Sequence, residues 1–283
     1  MSTHLVEVAR RIEDADALVI GASNGLSISE GIHLFGENEQ FRQSFGDFHE
    51  RFGFRSIIRG CFFPFAEPAI AWAFNSRMHS HFMQQVMPSP VVADLIEVVG
   101  SKPYFVITSN IDGRLGLSGI NASRIFEVEG SCRNLQCAKP CHDQLYPADD
   151  LLSRMAKAQR DMTVPEELIP HCPRCTGPMQ LHIETDERFL RGRAWRAQKT
   201  AFAEHVQEYR NGNLVFLELG IGPHNQLIKA PMMQLAKSAP SATYVAFNVG
   251  AANNFPCVID PSRYFYVDGN LRMSLARVRE ALR

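Results

Sequence analysis

The feature that most constrains the fold is a series of short apolar runs rich in β-branched and aromatic residues. Ala17-Leu-Val-Ile-Gly21, Tyr104-Phe-Val-Ile-Thr108, Leu214-Val-Phe-Leu-Glu-Leu219 and Ala242-Thr-Tyr-Val-Ala-Phe247 have this form, and Tyr264-Phe-Tyr-Val267 is a weaker instance. Such runs do not alternate polar with apolar residues, so both faces of each strand are expected to be covered, as happens in parallel sheets. An amphipathic helix is expected over residues 3–13, ahead of the first strand. The expected class is α/β, a Rossmann-like parallel sheet with helices on both faces.

The residues that follow these runs are small or polar. Ser109-Asn-Ile-Asp112, Gly220-Ile-Gly222 and Asn248-Val-Gly250 each close a strand, and in an open parallel sheet the carboxyl ends of the strands face the ligand crevice. Ordinary turn chemistry also favours Asn, Asp and Gly; it is their recurrence on successive strand ends that points to a binding edge. After the first strand, Gly21-Ala-Ser-Asn-Gly-Leu-Ser-Ile-Ser-Glu-Gly31 offers small residues where a strand passes into a helix. There, backbone N–H groups can approach a pyrophosphate.

Two close cysteine pairs interrupt this pattern. Cys137 with Cys141, and Cys172 with Cys175, bring four thiolates within reach of one tetrahedral ion, and zinc is the expected occupant. Four thiolates leave no open position, so the metal is expected to be structural. The competing reading is two unrelated pairs of buried or redox cysteines. His142 and His171 stand beside the pairs as substitute ligands or plain surface residues, and Cys61, Cys132 and Cys257 are expected to be free thiols.

The 283 residues are 45% hydrophobic with a formal net charge of -1, enough for one large core with a small satellite domain. No basic excess points to nucleic acid. The opening Met1-Ser-Thr-His-Leu-Val-Glu-Val8 lacks a charged-then-apolar signal pattern, and no apolar run reaches the length of a membrane span. With an odd cysteine count and zinc-like pairing, a reducing, cytoplasmic location is expected, with no membrane partner. Phe41 to Phe82 is dense in aromatics and is expected to form a small helical subdomain over the sheet or to wall a pocket. Ala148 to Glu167 is expected to be a solvated helix. The expected organisation is a Rossmann-like domain of residues 1–40, 86–130 and 201–283, a helical insertion at 41–85 and a zinc-binding module at 131–200.

These residues together resemble the sirtuin family over nearly the whole chain. Gly25-Leu-Ser27 and Ser29-Glu-Gly-Ile32 look like the family's glycine-rich loop, and Thr108-Ser-Asn-Ile-Asp112 looks like its Thr-Gln-Asn-Ile-Asp. Gly60-Cys-Phe-Phe-Pro-Phe65, Gln136-Cys-Ala-Lys-Pro-Cys-His142 and Phe216-Leu-Glu-Leu-Gly220 are similar to the macrodomain-linked, or class M, microbial sirtuins. The resemblance implies an NAD-dependent protein mono-ADP-ribosyltransferase acting on a protein acceptor, such as a lipoyl-carrier protein, with a macrodomain hydrolase as functional partner.

By the same resemblance, Gly21, Ala22, Gly25 and Ser27 would line the pyrophosphate, and Asn110 and Asp112 would hold the nicotinamide side of NAD. Gly220, Gly222 and Asn248 would meet the adenosine half, and Phe35 and Ser109 are counted with the same cofactor-binding set. In deacylating sirtuins a His precedes the Gly-Ser of the middle motif, and class M members carry Gln there. Here that position is Glu129. Cleaving the nicotinamide bond builds positive, oxocarbenium-like charge on the ribose, which a nearby carboxylate would stabilise, so Asn110, Glu129 and Asp112 form the expected catalytic set. Ser109 replaces the Gln of deacylases. A deacylase or NAD glycohydrolase, and a non-catalytic NAD or ADP-ribose sensor, remain as other readings.

Overall fold

The computed structural model describes residues 3–84, 87–223, 225–250 and 258–283, so Cys257 lies outside the described residues. Six strands form a parallel sheet: β1 (Ala17–Ala22), β2 (Tyr104–Thr108), β3 (Ile125–Glu127), β7 (Leu214–Leu219), β8 (Thr243–Asn248) and β9 (Tyr264–Asp268). Between β3 and β7 the chain makes a separate antiparallel sheet from β4 (Gly130–Cys137), β5 (Tyr146–Pro147) and β6 (Met179–Ile183).

The large sheet is ordered β3-β2-β1-β7-β8-β9, so the chain winds outward one way from β1 and then restarts in the other direction at β7. This is the doubly wound arrangement, and the gap between the carboxyl ends of β1 and β7 is its switch point. Every residue of β1 and β7 is buried, as uninterrupted apolar runs require when both faces are covered. Helices Thr3–Glu13, Pro90–Val99 and Leu271–Ala281 cover one face through Val8, Ile12, Leu95, Val98, Leu275 and Val278. Helices Arg193–Tyr209 and Lys229–Ser238 cover the other, through Phe202, Val206, Met232 and Met233. The one carboxylate inside β7, Glu218, is fully buried, and it is matched by Lys229 Nζ at 2.9 Å and the Tyr244 hydroxyl at 2.6 Å. A buried charge is tolerated only with such partners.

The aromatic segment forms helices Glu39–Phe52, Ile57–Cys61 and Pro68–Met83. Asn38, Ser56 and the N-terminal Pro68 start them in the way such residues do. Phe45, Phe48, Phe54 and Phe65 surround Phe74 at ring separations of 5.2 to 5.6 Å. This aromatic core does not end within the segment. It continues into Leu135, Cys137, Leu152, Met155, Cys172, Leu181 and Ile183 of the small sheet and its helix Asp149–Ala158. Arg133 and His79 converge on Asp149 at 2.5 and 3.0 Å to join the same two parts. Helix Asp149–Ala158 is therefore half-buried rather than solvated, because Leu152 and Met155 belong to that core; it also occupies only the first part of the charged stretch.

One contact at the switch point admits no side chain. The Gly25 N–H donates to Gly220 O at 2.8 Å, Gly220 has φ of +61°, and a Cβ on Gly25 would lie 2.5 Å from the Gly220 Cα. Gly25→Ala is expected to cost about 1–3 kcal/mol through overpacking. Urea unfolding would show this; an unchanged midpoint would mean that the two loops separate without loss.

Candidate active site at the switch point

Three strand ends meet in a small polar cluster. Ser109 Oγ follows β2 and lies 3.0 Å from Ser23 Oγ, which follows β1. The Asn225 side-chain amide, from the loop after β7, donates to both at 2.8 and 2.9 Å. Asn110 is buried, and its amide donates to Ser23 O at 3.2 Å. Asn110 lines a crevice whose enclosed part measures about 100 Å³. Asn24 lines it too, with a buried Oδ1 that has no partner among the described residues. Unsatisfied polar atoms of this kind mark a place where a ligand completes the bonding.

Glu129, Ile183, Glu184 and Thr185 line the same crevice, and Leu34, Phe35, Ile58, Cys61 and Phe62 add apolar surface to its lining. Glu129 is held by its backbone. Val128 N–H donates to Thr108 O at 2.9 Å, the Trp195 indole donates to Val128 O at 3.0 Å, and Glu184 N–H donates to Glu129 O at 3.0 Å. Gly130 follows with φ of +77°, and a Cβ there would strike His182 O. The Glu129 carboxyl itself meets no donor among the described residues. Burial, reinforced by the nearby Glu184, pushes its pKa up to about 7. Cys61 is a thiol rather than a thiolate nucleophile, because burial pushes its pKa up to about 12.

Several residues expected to touch a ligand have a different task in the fold. Ser27 is buried and donates to Asp112 Oδ2 at 2.7 Å, and Asp112 Oδ1 accepts from Arg114 N–H at 3.0 Å. Asp112 thus faces inward and braces the glycine-rich loop instead of lining the crevice; burial raises its pKa against those two bonds. Gly21 turns its open side to Met232, and Ala22 is buried in β1 with its carbonyl engaged by Thr108 Oγ1 at 3.0 Å. Gly25 and Gly220 pack on each other. Gly222 has open space where a Cβ would be, and Asn248 donates to Ile221 O at 2.8 Å, so both sit at the carboxyl edge of β7 and β8. Phe35, Ser109, Asn110 and Glu129 do line the crevice. Ser23, Asn24, Asn225, Phe62 and Glu184 were not singled out in the sequence. Ser23 and Asn24 lay within the glycine-rich loop, whereas Glu184 enters only through the β4–β6 register, Gly130 opposite Ile183.

The sulfur atoms of Cys137, Cys141, Cys172 and Cys175 all lie within 4.8 Å of one another. Cys137 with Cys175, and Cys141 with Cys172, are 3.7 Å apart, close to the edge of about 3.8 Å set by a tetrahedron with Zn–S bonds of about 2.3 Å. The donor set fits structural zinc. His142 lies outside it, with Nδ1 3.0 Å from Cys141 Sγ and Nε2 2.9 Å from the Tyr146 hydroxyl. A wider depression of about 770 Å³ beside this knuckle, bordered by His142, Tyr146, Arg174 and Arg193, contains no residue from the strand ends of the large parallel sheet.

No family model matches the chain. Among solved structures it is similar to a Sir2 homologue bound to NAD, with TM-score 0.66 and 15% identity over 98% of this chain and 94% of that one. It is also similar to a mutant Sir2 homologue in complex with ADP-ribose, with TM-score 0.63 and 14% identity over 100% and 98%. These likenesses define the fold as that of the Sir2 enzymes. A protein ADP-ribosyltransferase from Staphylococcus aureus strain Mu50 is 31% identical over 250 residues, covering 87% of this chain and 78% of that protein. The chain belongs to the sirtuin family, in company with this protein ADP-ribosyltransferase. No helix among the described residues is long and apolar enough to cross a membrane.

Two outcomes follow from the geometry. Removing the metal with a chelator, or replacing Cys172 and Cys175 by Ser, is expected to unfold the small sheet, because a structural zinc contributes on the order of 10 kcal/mol; circular dichroism and metal analysis would register it, and a cooperatively folded, metal-free double variant would refute the closed site. The second outcome concerns pH. The Glu129 carboxyl is raised from 4.5 to about 7, so its contribution favours the fold fully below the lower value and is lost as pH climbs through the upper one. Glu129→Gln is expected to flatten stability across this window and to raise it near pH 8, read as urea midpoints at about pH 5 and pH 8.

Proposed function

We propose that this chain transfers ADP-ribose from NAD to an acceptor protein, releasing nicotinamide, with Asn110 and Glu129 as its catalytic residues. The observation that carries this reading is that Asn110 and Glu129 line one crevice at the switch point, in a chain 31% identical to a protein ADP-ribosyltransferase. NAD supplies the ADP-ribosyl group: its bond from ribose C1′ to the nicotinamide nitrogen breaks, nicotinamide leaves with the electron pair, and the acceptor forms the new bond to C1′. Asn24, Asn110 and the serine pair Ser23–Ser109 provide polar atoms for its nicotinamide ribose. Gly220, Gly222 and Asn248 are the residues assigned to the adenosine half, while the Ser27–Asp112 hydrogen bond holds the glycine-rich loop in shape. Phe35, 62% exposed in the lining of the crevice, offers an aromatic face to the bound nucleotide.

Glu129 does the electrostatic work. As a carboxylate it faces the positive charge that develops on the ribose and accepts hydrogen bonds from its hydroxyls, in a site where low water content strengthens both effects. Ser109 in place of the deacylase Gln, and a carboxylate in place of the His, favour transfer over deacylation. A lipoyl-carrier protein suits the apolar wall of Leu34, Ile58 and Phe62, and a macrodomain hydrolase would reverse the modification.

Glu129→Ala and Asn110→Ala are each expected to lower transfer by about a hundredfold or more, with unchanged zinc content and the fold retained. Labelled NAD incubated with a host extract provides the readout. Full labelling by either variant would remove that residue from the mechanism. Nicotinamide release without any labelled protein would make the chain a glycohydrolase, and release that depends on an acyl-lysine peptide would make it a deacylase.

A further inference from the structure

The cluster of Ser23, Ser109 and Asn225 holds one more proton than its own members can accept. Asn225 Oδ1 accepts from the N–H groups of Leu227 and Ile228 at 3.2 and 3.4 Å, which fixes the carboxamide with its nitrogen toward the serines. That nitrogen and the two hydroxyl oxygens form a triangle with sides of 2.8, 2.9 and 3.0 Å. An amide nitrogen donates and offers no lone pair, so neither serine can spend its proton on Asn225. Ser109 donates its own to Ser23. The Ser23 oxygen thus accepts twice, and its proton meets no acceptor among the described residues. Ser23 is 4% exposed and lines the crevice. Main-chain donors around it are committed elsewhere: Ser23 N–H to Leu219 O, Gly25 N–H to Gly220 O, Leu26 N–H to Ser23 O, Ser109 N–H to Ala22 O and Asn110 N–H to Thr108 Oγ1.

From this triangle we infer that the Ser23 hydroxyl donates to a hydroxyl oxygen of the nicotinamide ribose, and that Asn225 is the positioning residue that fixes the direction of the bond. This rests on the transferase reading above. The same crevice is lined by Glu129, which as a carboxylate can only accept, and by Glu184, which is already paired with Arg191. A group that serves both Ser23 and Glu129 must accept from one and donate to the other, and a ribose hydroxyl does both. A diphosphate oxygen would accept from Ser23, but it has no proton for Glu129 and its charge is repelled by that carboxylate. The direction follows from Asn225. With the amide nitrogen at the apex, the spare proton is offered outward; a carboxylate at the apex would accept from both serines and leave the ribose no donor. Asn225 acts through Ser23 and need not touch the nucleotide.

The test is titration calorimetry of the folded protein with ADP-ribose, which carries the second ribose, and with ADP, which has the diphosphate without it. Ser23→Ala is expected to weaken ADP-ribose about tenfold, the loss of one hydrogen bond to a buried donor, and to leave ADP unchanged. Ser109→Ala removes the same group from the cluster but leaves the Ser23 proton outward, so ADP-ribose is expected to weaken about twofold at most. Asn225→Asp is expected to weaken ADP-ribose at least as much as Ser23→Ala, and adding Ser23→Ala to Asn225→Asp is expected to cost nothing further, because that proton is already spent. In turnover, Ser23→Ala should raise the KM for NAD with a much smaller change in kcat. Equal losses in Ser23→Ala and Ser109→Ala would make the cluster a structural brace and overturn the inference. Weakening of ADP alongside ADP-ribose would move the donor to the diphosphate and overturn it too, as would additive losses in the Ser23→Ala, Asn225→Asp pair. Absence of nicotinamide release under every condition would instead bring down the transferase reading, with the ADP-ribose affinities still reporting on Ser23.

Discussion

The architecture of the crevice depends on two glycine backbones in direct contact. Gly25 and Gly220 bring the loops after β1 and β7 so close that no side chain separates them, and a hydrogen bond of 2.8 Å locks the approach. Ser23 and Asn225 come with these loops, and Ser109 completes the cluster from β2. The polar floor is therefore a product of main-chain packing, and the carboxamide of Asn110 is aimed by it. Behind this floor Arg114, itself buried, donates to Glu30 at 2.9 Å and to Phe82 O at 3.0 Å. One cation thus links the end of the glycine-rich loop to the aromatic helices.

The wall opposite obeys a different economy. Glu129 is an acid placed where burial and a neighbouring acid both disfavour its charge, and nothing among the described residues offers it a hydrogen bond. A fold selected for stability alone would place an apolar or amide group there. Its backbone is held on both sides, by Thr108 and Trp195 through Val128 and by Glu184 through its own carbonyl. A rigid main chain carrying an unsatisfied, perturbed side chain is the pattern expected of a working group.

Much of the fold was legible in the sequence because its central strands are buried on both faces, and such strands announce themselves as uninterrupted apolar runs. β3 escaped notice, being three residues long at the sheet edge with Glu127 in it. The cysteine tetrad was equally plain, since metal spacing is a local pattern. What lay beyond reach were relations set by distant pairing. Asp112 and Ser27 stand 85 residues apart, and their mutual hydrogen bond turns both away from the crevice. Glu184 stands 55 residues beyond Glu129, and only the β4–β6 register brings it opposite. The aromatic segment and the knuckle looked like two insertions because chain order separates them, but shared burial joins them into one core.

That common core makes the metal and the mouth of the crevice parts of one solid body. Cys137 and Cys172 pack in the same cluster as Ile57 and Phe54, and the next residue along, Ile58, borders the crevice with Phe62. Ile183, at the end of β6, belongs to both. The thiolate cage is accordingly the far end of a lever whose near end forms one border of the crevice. Loss of a metal from that cage would distort this border while the polar floor, built from the other sheet, still stood.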